Sequence, residues 1–284
     1  MIEKEVCVIT GGGSGIGFET ARYIPKQKII VISGRTVSKL EHAAQQLREE
    51  GHTVYLHACD VSKRESVREL AVYAASLGTI KNVIHCAGVS PQMAEAEQVL
   101  RINALGTLYI NEEFSKVMVE KSVIVDVSSN AAYSIPSVLK SIGHYSNIYK
   151  SEEKFLRHLM HIVKLMPSDY MKKGLAYALS KNFVCWYAKE SAFELGPREI
   201  RVVSLSPGLV ATDMGELEKE KGARLIERSA EQRMGRPEEL GYALATLADE
   251  RNGFLAGVDI LCDGGSTVSP RKSSVLHFSA SAAD

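Results

Sequence analysis

The stretch VCVITGGGSGIGFETARYI, residues 6–24, decides the fold. A β-branched apolar run ends in a glycine-rich turn, and a helical pattern follows from about Ile16. Residues without a Cβ turn tightly and let a bulky anion approach the backbone, and the first N–H groups of a helix attract negative charge. A strand, a glycine loop and a helix in that order open a βαβ unit that binds a nucleotide. The spacing is Gly11, Gly15 and Gly17, with three residues between the first two, which differs from the common GxGxxG arrangement.

Outward from this unit, short apolar runs alternate with helical patterns. IIVIS (29–33), TVYLHA (53–58), NVIHCAG (82–88), SVIVDVSS (122–129), IRVVSLSPG (200–208) and GVDILCDGG (257–265) read as further strands ending in polar or glycine-rich turns. Between the second and third, Leu40, Ala43, Ala44 and Leu47 recur at helical spacing and Gly51 is a natural stop. Ser62 is a candidate cap for the helix that follows the third strand. Near-continuous apolar strands alternating with helices predict a parallel sheet covered on both faces. The expectation is an α/β chain: one Rossmann-type, doubly wound domain of about seven strands over residues 1–266, with a polar, loosely ordered tail at 267–284.

The composition narrows the class. The 284 residues are 45% hydrophobic, enough for a sizeable core. Lys plus Arg and Asp plus Glu are both 34, so the formal charge is zero and no basic surplus suggests nucleic acid as a partner. The five cysteines show no CxxC pair or metal-ligand spacing, which suits reduced thiols in a cytoplasmic protein and predicts no metal. There is no room for a signal peptide before VCVIT, and no apolar run long enough to span a bilayer.

In GLAYALSKNFV (174–184), Tyr177 and Lys181 stand at i and i+4, on one face of a helix. A free tyrosine, with a pKa of about 10, is a poor base near neutrality, and a nearby ammonium favours its phenolate. The pair can serve as an acid and the cation that tunes it.

These landmarks together resemble the short-chain dehydrogenase/reductase family, whose loop reads TGxxxGxG. CDV at 59–61, HCAG at 85–88 where the family usually has NNAG, INALG with Asn103, DVSS with Ser128 and Ser129, YALSK with Tyr177 and Lys181, and SPGLVAT at 206–212 follow in the family's order. GRPEEL and CDGG complete the series, and the resemblance spans roughly residues 5–266. It implies an oxidoreductase with Asn103, Ser129, Tyr177 and Lys181 as the catalytic set. Tyr177 exchanges the proton, Ser129 hydrogen-bonds the substrate oxygen, Lys181 also holds the nicotinamide ribose, and Asn103 positions a water for proton relay. Read singly, Ser129 is equally a strand-end cap and Asn103 an ordinary helix N-cap. The resemblance assigns the nucleotide to Gly11, Gly13, Ser14, Gly15, Ile16, Gly17, Arg35, Thr36, Asp60, Val61, Ala87, Gly88, Tyr177, Lys181, Pro207, Gly208, Val210 and Thr212. At HCAG, Cys86 replaces a side chain that would bridge neighbouring strands, at some cost in hydrogen bonding, while His85 and Cys86 read as packing residues.

The second strand ends in SGRT. Gly34 leaves empty the position where an acidic residue would bind the adenine ribose, and Arg35 offers a guanidinium fork suited to a 2′-phosphate. NADP(H) is the expected cofactor, with NAD(H) tolerated.

The family usually separates its serine and tyrosine by about a dozen residues, whereas here an insertion covers roughly 138–173. Within it, SEEKFLRHLMHIVKLMP (151–167) reads as a helix capped by Ser151 and ended by Pro167. It has three readings: a helix packed on the protein's own body, a lid over an apolar substrate, or a partner surface. With a short span from Gly88 to Asn103, the insertion resembles the bacterial 3α-hydroxysteroid dehydrogenase/carbonyl reductase subgroup. That resemblance implies a small apolar carbonyl or alcohol substrate, plausibly a steroid or bile acid, and a homodimer or homotetramer. An insert beside Tyr177 would block the family's usual tetramer surface, which favours a homodimer through the last strand and the helix from Pro237. A nucleotide-binding sensor or scaffold without turnover is the alternative.

Overall fold

The computed structural model describes residues 4–135 and 145–268. The strands are β1 (Glu5–Thr10), β2 (Ile29–Gly34), β3 (Thr53–Ala58), β4 (Thr79–His85), β5 (Ser122–Val127), β6 (Ile200–Pro207) and β7 (Asp259–Cys262). They form one parallel sheet in the order β3-β2-β1-β4-β5-β6-β7. The helices are α1 (Gly15–Arg22), α2 (Val37–Glu49), α3 (Arg64–Leu77), α4 (Ala96–Leu100), α5 (Gly106–Ser115), α6 (Glu152–Lys164), α7 (Asp169–Leu195), α8 (Asp213–Arg228) and α9 (Pro237–Leu247).

Successive strand residues feed two cores, as a sheet covered on both faces requires. Val8, Val31, Val83 and Ile124 join Leu70 of α3 and Phe183 of α7 on one face. Ile9, Ile32, Val125 and Leu205 join Leu40 of α2 and Leu244 of α9 on the other. Strand order reverses between β1 and β4, which opens a crevice at their carboxyl ends, the usual ligand position in such sheets.

The structure departs from the sequence reading in several places. β4 begins at Thr79, three residues before the apolar run, because Thr79 N–H donates to Lys4 O and pairs the polar segment with β1. Ser62 does not cap α3. Its hydroxyl donates to Asp60 Oδ1, and Lys63 takes the cap position without a side-chain bond. Across β1 and β4, Thr10 Oγ1 and His85 Nδ1 meet at 2.7 Å, and Ala87 N–H donates to the same hydroxyl. His85 therefore supplies a cross-strand bridge at the HCAG departure, and burial lowers its pKa to about 3, which keeps the ring neutral.

The insertion helix forms as expected. Ser151 Oγ accepts from Lys154 N–H, and Glu152 and Glu153 occupy the favourable first turn. Its face of Phe155, Leu156, Leu159 and Val163 is buried in the core with Phe183. Glu152 receives hydrogen bonds from Tyr109 Oη on α5 and Arg64 on α3, and the Arg64 guanidinium lies 4.4 Å from the Tyr109 ring centroid. Packing on the protein's own body is thus the reading that holds for α6. After Pro167, Ser168 caps α7, so residues 169–173 of the insertion are the first turn of the helix that carries Tyr177. Residues 138–144 of the insertion and most of the expected tail lie outside the described residues.

Asp126 of β5 is fully buried, with Asn111 Nδ2 donating to both carboxylate oxygens at 3.1 and 3.0 Å. Burial raises its pKa from 3.8 to about 7 despite those bonds. Between those two values the native state holds a proton that the unfolded chain has released, so stability falls as pH rises. The whole slope is worth at most about 4 kcal/mol. Urea unfolding at several pH values between 4 and 8 should show this decline, and Asp126→Asn should flatten it.

Candidate active site

A cavity of about 780 Å³ opens at the carboxyl end of the sheet. Its nucleotide end is built from the loop after β1. Gly11 and Gly15 have φ of 70° and 56°, the left-handed region that favours glycine. A Cβ on Gly17 would stand 2.5 Å from Gly11 O, so the helix start and the loop close on each other only without side chains. Ser14 precedes α1 with no side-chain cap bond, and it lines the cavity with Gly15, Ile16 and Gly17, so the helix start lies at the cavity wall.

Of the residues assigned to the nucleotide, Gly11, Ser14, Gly15, Ile16, Gly17, Arg35, Asp60, Val61, Ala87, Gly88, Tyr177, Lys181, Pro207, Gly208, Val210 and Thr212 all line the cavity. Arg35 is exposed at its rim and has no ion pair among the described residues. Gly13 and Thr36 are not part of the lining. A Cβ on Gly13 would face Leu40 at 3.3 Å, and Thr36 precedes α2 as its cap residue.

At the other end, α7 presents Tyr177 and Lys181 to the same cavity, one helical turn apart. Lys181 Nζ donates to Val127 O at 2.9 Å and lies 5.9 Å from the Tyr177 ring centroid. Ser128 Oγ donates to Lys181 O at 2.7 Å, which ties α7 to the end of β5. Ser129, the next residue, lines the cavity, and its hydroxyl stands near enough to the Tyr177 phenol to influence its pKa. Its hydroxyl also accepts from Ala131 N–H, so the cap role and the cavity role belong to one residue.

The expected lowering of Tyr177 by Lys181 is not what this geometry produces. Burial is the largest influence on the phenol and raises its pKa; the nearby Ser129 hydroxyl works against that rise and Glu218 adds to it. Burial instead lowers Lys181 to about 8, with Cys185, Cys86 and Asp126 partly restoring it. The ammonium is therefore close to half-charged under mildly alkaline conditions, and Tyr177 keeps its proton.

Asn103 sits one layer behind. It occupies a π-helical turn (Arg101–Leu105) between α4 and α5, not a helix start. Its Oδ1 accepts from Val89 N–H at 2.9 Å, and its Nδ2 donates to Val89 O and Ser180 Oγ. A Cβ on Gly88 would stand 3.1 Å from Asn103 Oδ1 and 3.4 Å from Lys181 Nζ, so Gly88 is the contact between them. Asn103 holds the loop after β4 in place and does not line the cavity.

Met93, Asn130, Ser134, Met214 and Glu218 also line this end, and sequence reasoning did not single them out. The sequence of α8 is rich in charge, and nothing local marks Met214 and Glu218 as lining a cavity. No residue of α6 lines the cavity, so the lid, one of the three readings of the insertion, is not what this helix forms. Among the described residues no group of His, Cys, Asp or Glu suits a metal ion, and no helix is long and apolar enough to cross a membrane.

Comparisons with known proteins agree with this architecture. Residues 5–142 match the family described as short chain dehydrogenase, and residues 152–267 match the one described as enoyl-(acyl carrier protein) reductase. The chain is 27% identical over 279 residues to a short-chain dehydrogenase/reductase of Alternaria brassicicola, covering 93% of this chain and 96% of that one. The chain belongs to the short-chain dehydrogenase/reductase family.

Another relative is D-threitol dehydrogenase of Mycolicibacterium smegmatis, 27% identical with 94% of each chain covered. A short-chain dehydrogenase from Burkholderia cenocepacia, solved in complex with NADP, has the same fold at a TM-score of 0.73 and 19% identity, over 93% of this chain and 97% of that one. As a short-chain dehydrogenase/reductase, the protein is an oxidoreductase of an NAD(P)-binding family. The side-chain-free cradle at Gly11, Gly15 and Gly17 and the open α1 terminus fit the pyrophosphate of such a dinucleotide.

Proposed function

We propose that the protein is an NADP(H)-dependent reductase that interconverts a largely apolar ketone and its secondary alcohol, with a hydroxysteroid or bile acid as one candidate. The observation that carries this reading is the convergence of Ser129, Tyr177 and Lys181 at one end of a single cavity whose other end is the glycine loop. Met93, Pro91, Leu209 and Met214 give the substrate end apolar walls suited to a ring or chain.

When bound, the nicotinamide supplies hydride for reduction or accepts it in oxidation. Tyr177 donates its proton to the carbonyl oxygen as negative charge grows there, and takes it back in the reverse direction. Ser129 donates a hydrogen bond to the same oxygen. The protonated Lys181 stabilises the phenolate that remains and holds the nicotinamide ribose. Asn103 acts as a positioning residue by clamping Val89 and the Gly88 backbone against Lys181, which leaves the relay water assigned by family resemblance without a cavity-facing partner in Asn103.

Arg35 is the basis for the choice of NADP(H). Its guanidinium is available to a 2′-phosphate, and charge-assisted bonds of this kind contribute about 1.5–3 kcal/mol. Arg35→Ala should reduce the preference for NADPH over NADH by roughly tenfold to a hundredfold in kcat/KM. An unchanged ratio would remove the 2′-phosphate reading. The reaction itself is tested by NADPH oxidation with a panel of ketones that includes steroid ketones.

We also favour a homodimer through β7 and α9. Support comes from α6, which lies against α7 and is tied to Tyr109 on α5, over the helices the family commonly uses for tetramers. Tyr242 on α9 and Phe254 just before β7 are exposed aromatics on the remaining side.

A further inference from the structure

Two carboxylates of α8, Asp213 at its exposed first position and the half-buried Glu218, interrupt the apolar walls of the substrate end. Glu218, on α8, lines the same cavity as Tyr177. Its Oε1 is shut off from solvent and has no hydrogen-bond partner among the described residues. The adjacent lysine does not serve it, because Lys219 pairs with Glu216 at 3.1 Å. The cavity's lysine does not serve it either, because Lys181 Nζ donates to Val127 O. Glu218 stands within electrostatic reach of the reacting centre, where its charge raises the Tyr177 phenol.

A buried carboxylate oxygen without a donor is an unfavourable arrangement, and native structures hold few of them. Glu218 lines the cavity, and a change of its side-chain rotamer on ligand entry turns that oxygen to a donor that the ligand carries. We propose that Glu218 is a substrate-recognition residue that accepts a hydrogen bond from a hydroxyl or ammonium group carried by the substrate at a second position, away from the reacting carbonyl. This rests on the reductase reading and narrows it, from an apolar ketone to one with a hydrogen-bond donor on an otherwise apolar frame. The same carboxylate disfavours a substrate with a negative charge at that point. The ligand class shares one chemistry, a donor, and the neutral and cationic forms are separated by experiment.

The test uses the full chain with NADPH and matched pairs of cyclohexanones, bearing a hydroxyl or a methyl group at C2, C3 or C4, together with 4-aminocyclohexanone. For at least one position the wild type should favour the donor-bearing ketone by about tenfold or more in kcat/KM, since a site built around a hydrogen bond rejects the analogue that lacks it. Glu218→Leu should bring that ratio close to one. Glu218→Gln should retain the hydroxyl preference and lose any ammonium preference, because its amide oxygen still accepts but carries no charge. Retained NADPH binding by each variant shows that it folds. A wild-type ratio below about twofold at every position, or a ratio that survives in Glu218→Leu, overturns the proposal. The same ratios are read as dissociation constants for the corresponding alcohols on protein saturated with NADP. A binding preference sensitive to Glu218→Leu, without turnover of any ketone, refutes the reductase reading alone. Turnover without such a preference refutes the recognition role alone.

Discussion

Tyr177→Phe is expected to lower kcat for ketone reduction by roughly a thousandfold, within the range assigned to a positioned general acid. The substitution removes one oxygen and keeps the ring that packs against the core around α7. Nucleotide affinity and thermal stability should therefore stay close to wild type. The size of the loss follows from the site: the neighbouring Ser129 hydroxyl, which lines the cavity with Tyr177, is too weak an acid to replace the phenol. Single-turnover kinetics with saturating NADPH read the chemical step directly, and a loss confined to KM would mean that Tyr177 binds substrate without protonating it.

The second large effect is expected at Lys181. Its ammonium is buried between α7 and β5, with a pKa lowered to about 8. Below that value it carries the charge that stabilises the phenolate left when Tyr177 gives up its proton, and above it the charge is lost. For the wild-type protein, kcat/KM for reduction should fall as pH rises through about 8. Tyr177, raised by burial, remains protonated over the same interval and does not produce this limb. Lys181→Met should reduce kcat/KM by about a hundredfold at pH 7 and remove the limb. The stability effect has the opposite sign. A lowered lysine pKa means that the native state binds fewer protons than the unfolded chain between about 8 and 10.5, so this group's contribution grows as pH rises through that window. A pH–rate profile together with urea unfolding at pH 7 and pH 10 separates the two.

The sheet was legible in sequence wherever a strand is buried on both faces. VCVIT, IIVIS and IRVVSLSP are runs in which almost every residue reaches a core, so apolar continuity marks them. Thr79–Lys81 escaped because Ile80, though buried in the core, stands between Thr79 and Lys81 and so does not extend the apolar run. The glycine loop was legible because the close approach of Gly17 to Gly11 admits no other residue, and Tyr177 and Lys181 because helical spacing alone places them on one face.

Roles that depend on distant partners were not legible. Ser62 looks like a cap, but Asp60 competes for its hydroxyl. Asn103 looks like a helix start, but the chain passes through it in a π-helical turn while its side chain holds Val89. Residues 138–173 look like the seat of specificity, yet α6 turns its apolar face into the core and Glu152 toward Arg64 and Tyr109. The inward carboxylate instead lies on α8, where Glu218 is one acid among several in EKEKGARLIER and no periodicity distinguishes it.

The central claim is that this cavity transfers hydride from a nicotinamide to a ketone with Tyr177 as the proton donor. The measurement that tests it most directly is mass spectrometry of the alcohol formed when the protein is given a ketone panel and NADPH deuterated on one face of C4. A single deuterium is expected on the carbinol carbon from one labelled face and none from the other, with product formation suppressed in Tyr177→Phe. Tight NADPH binding with no deuterium delivered to any ketone, or delivery undiminished in Tyr177→Phe, would contradict it.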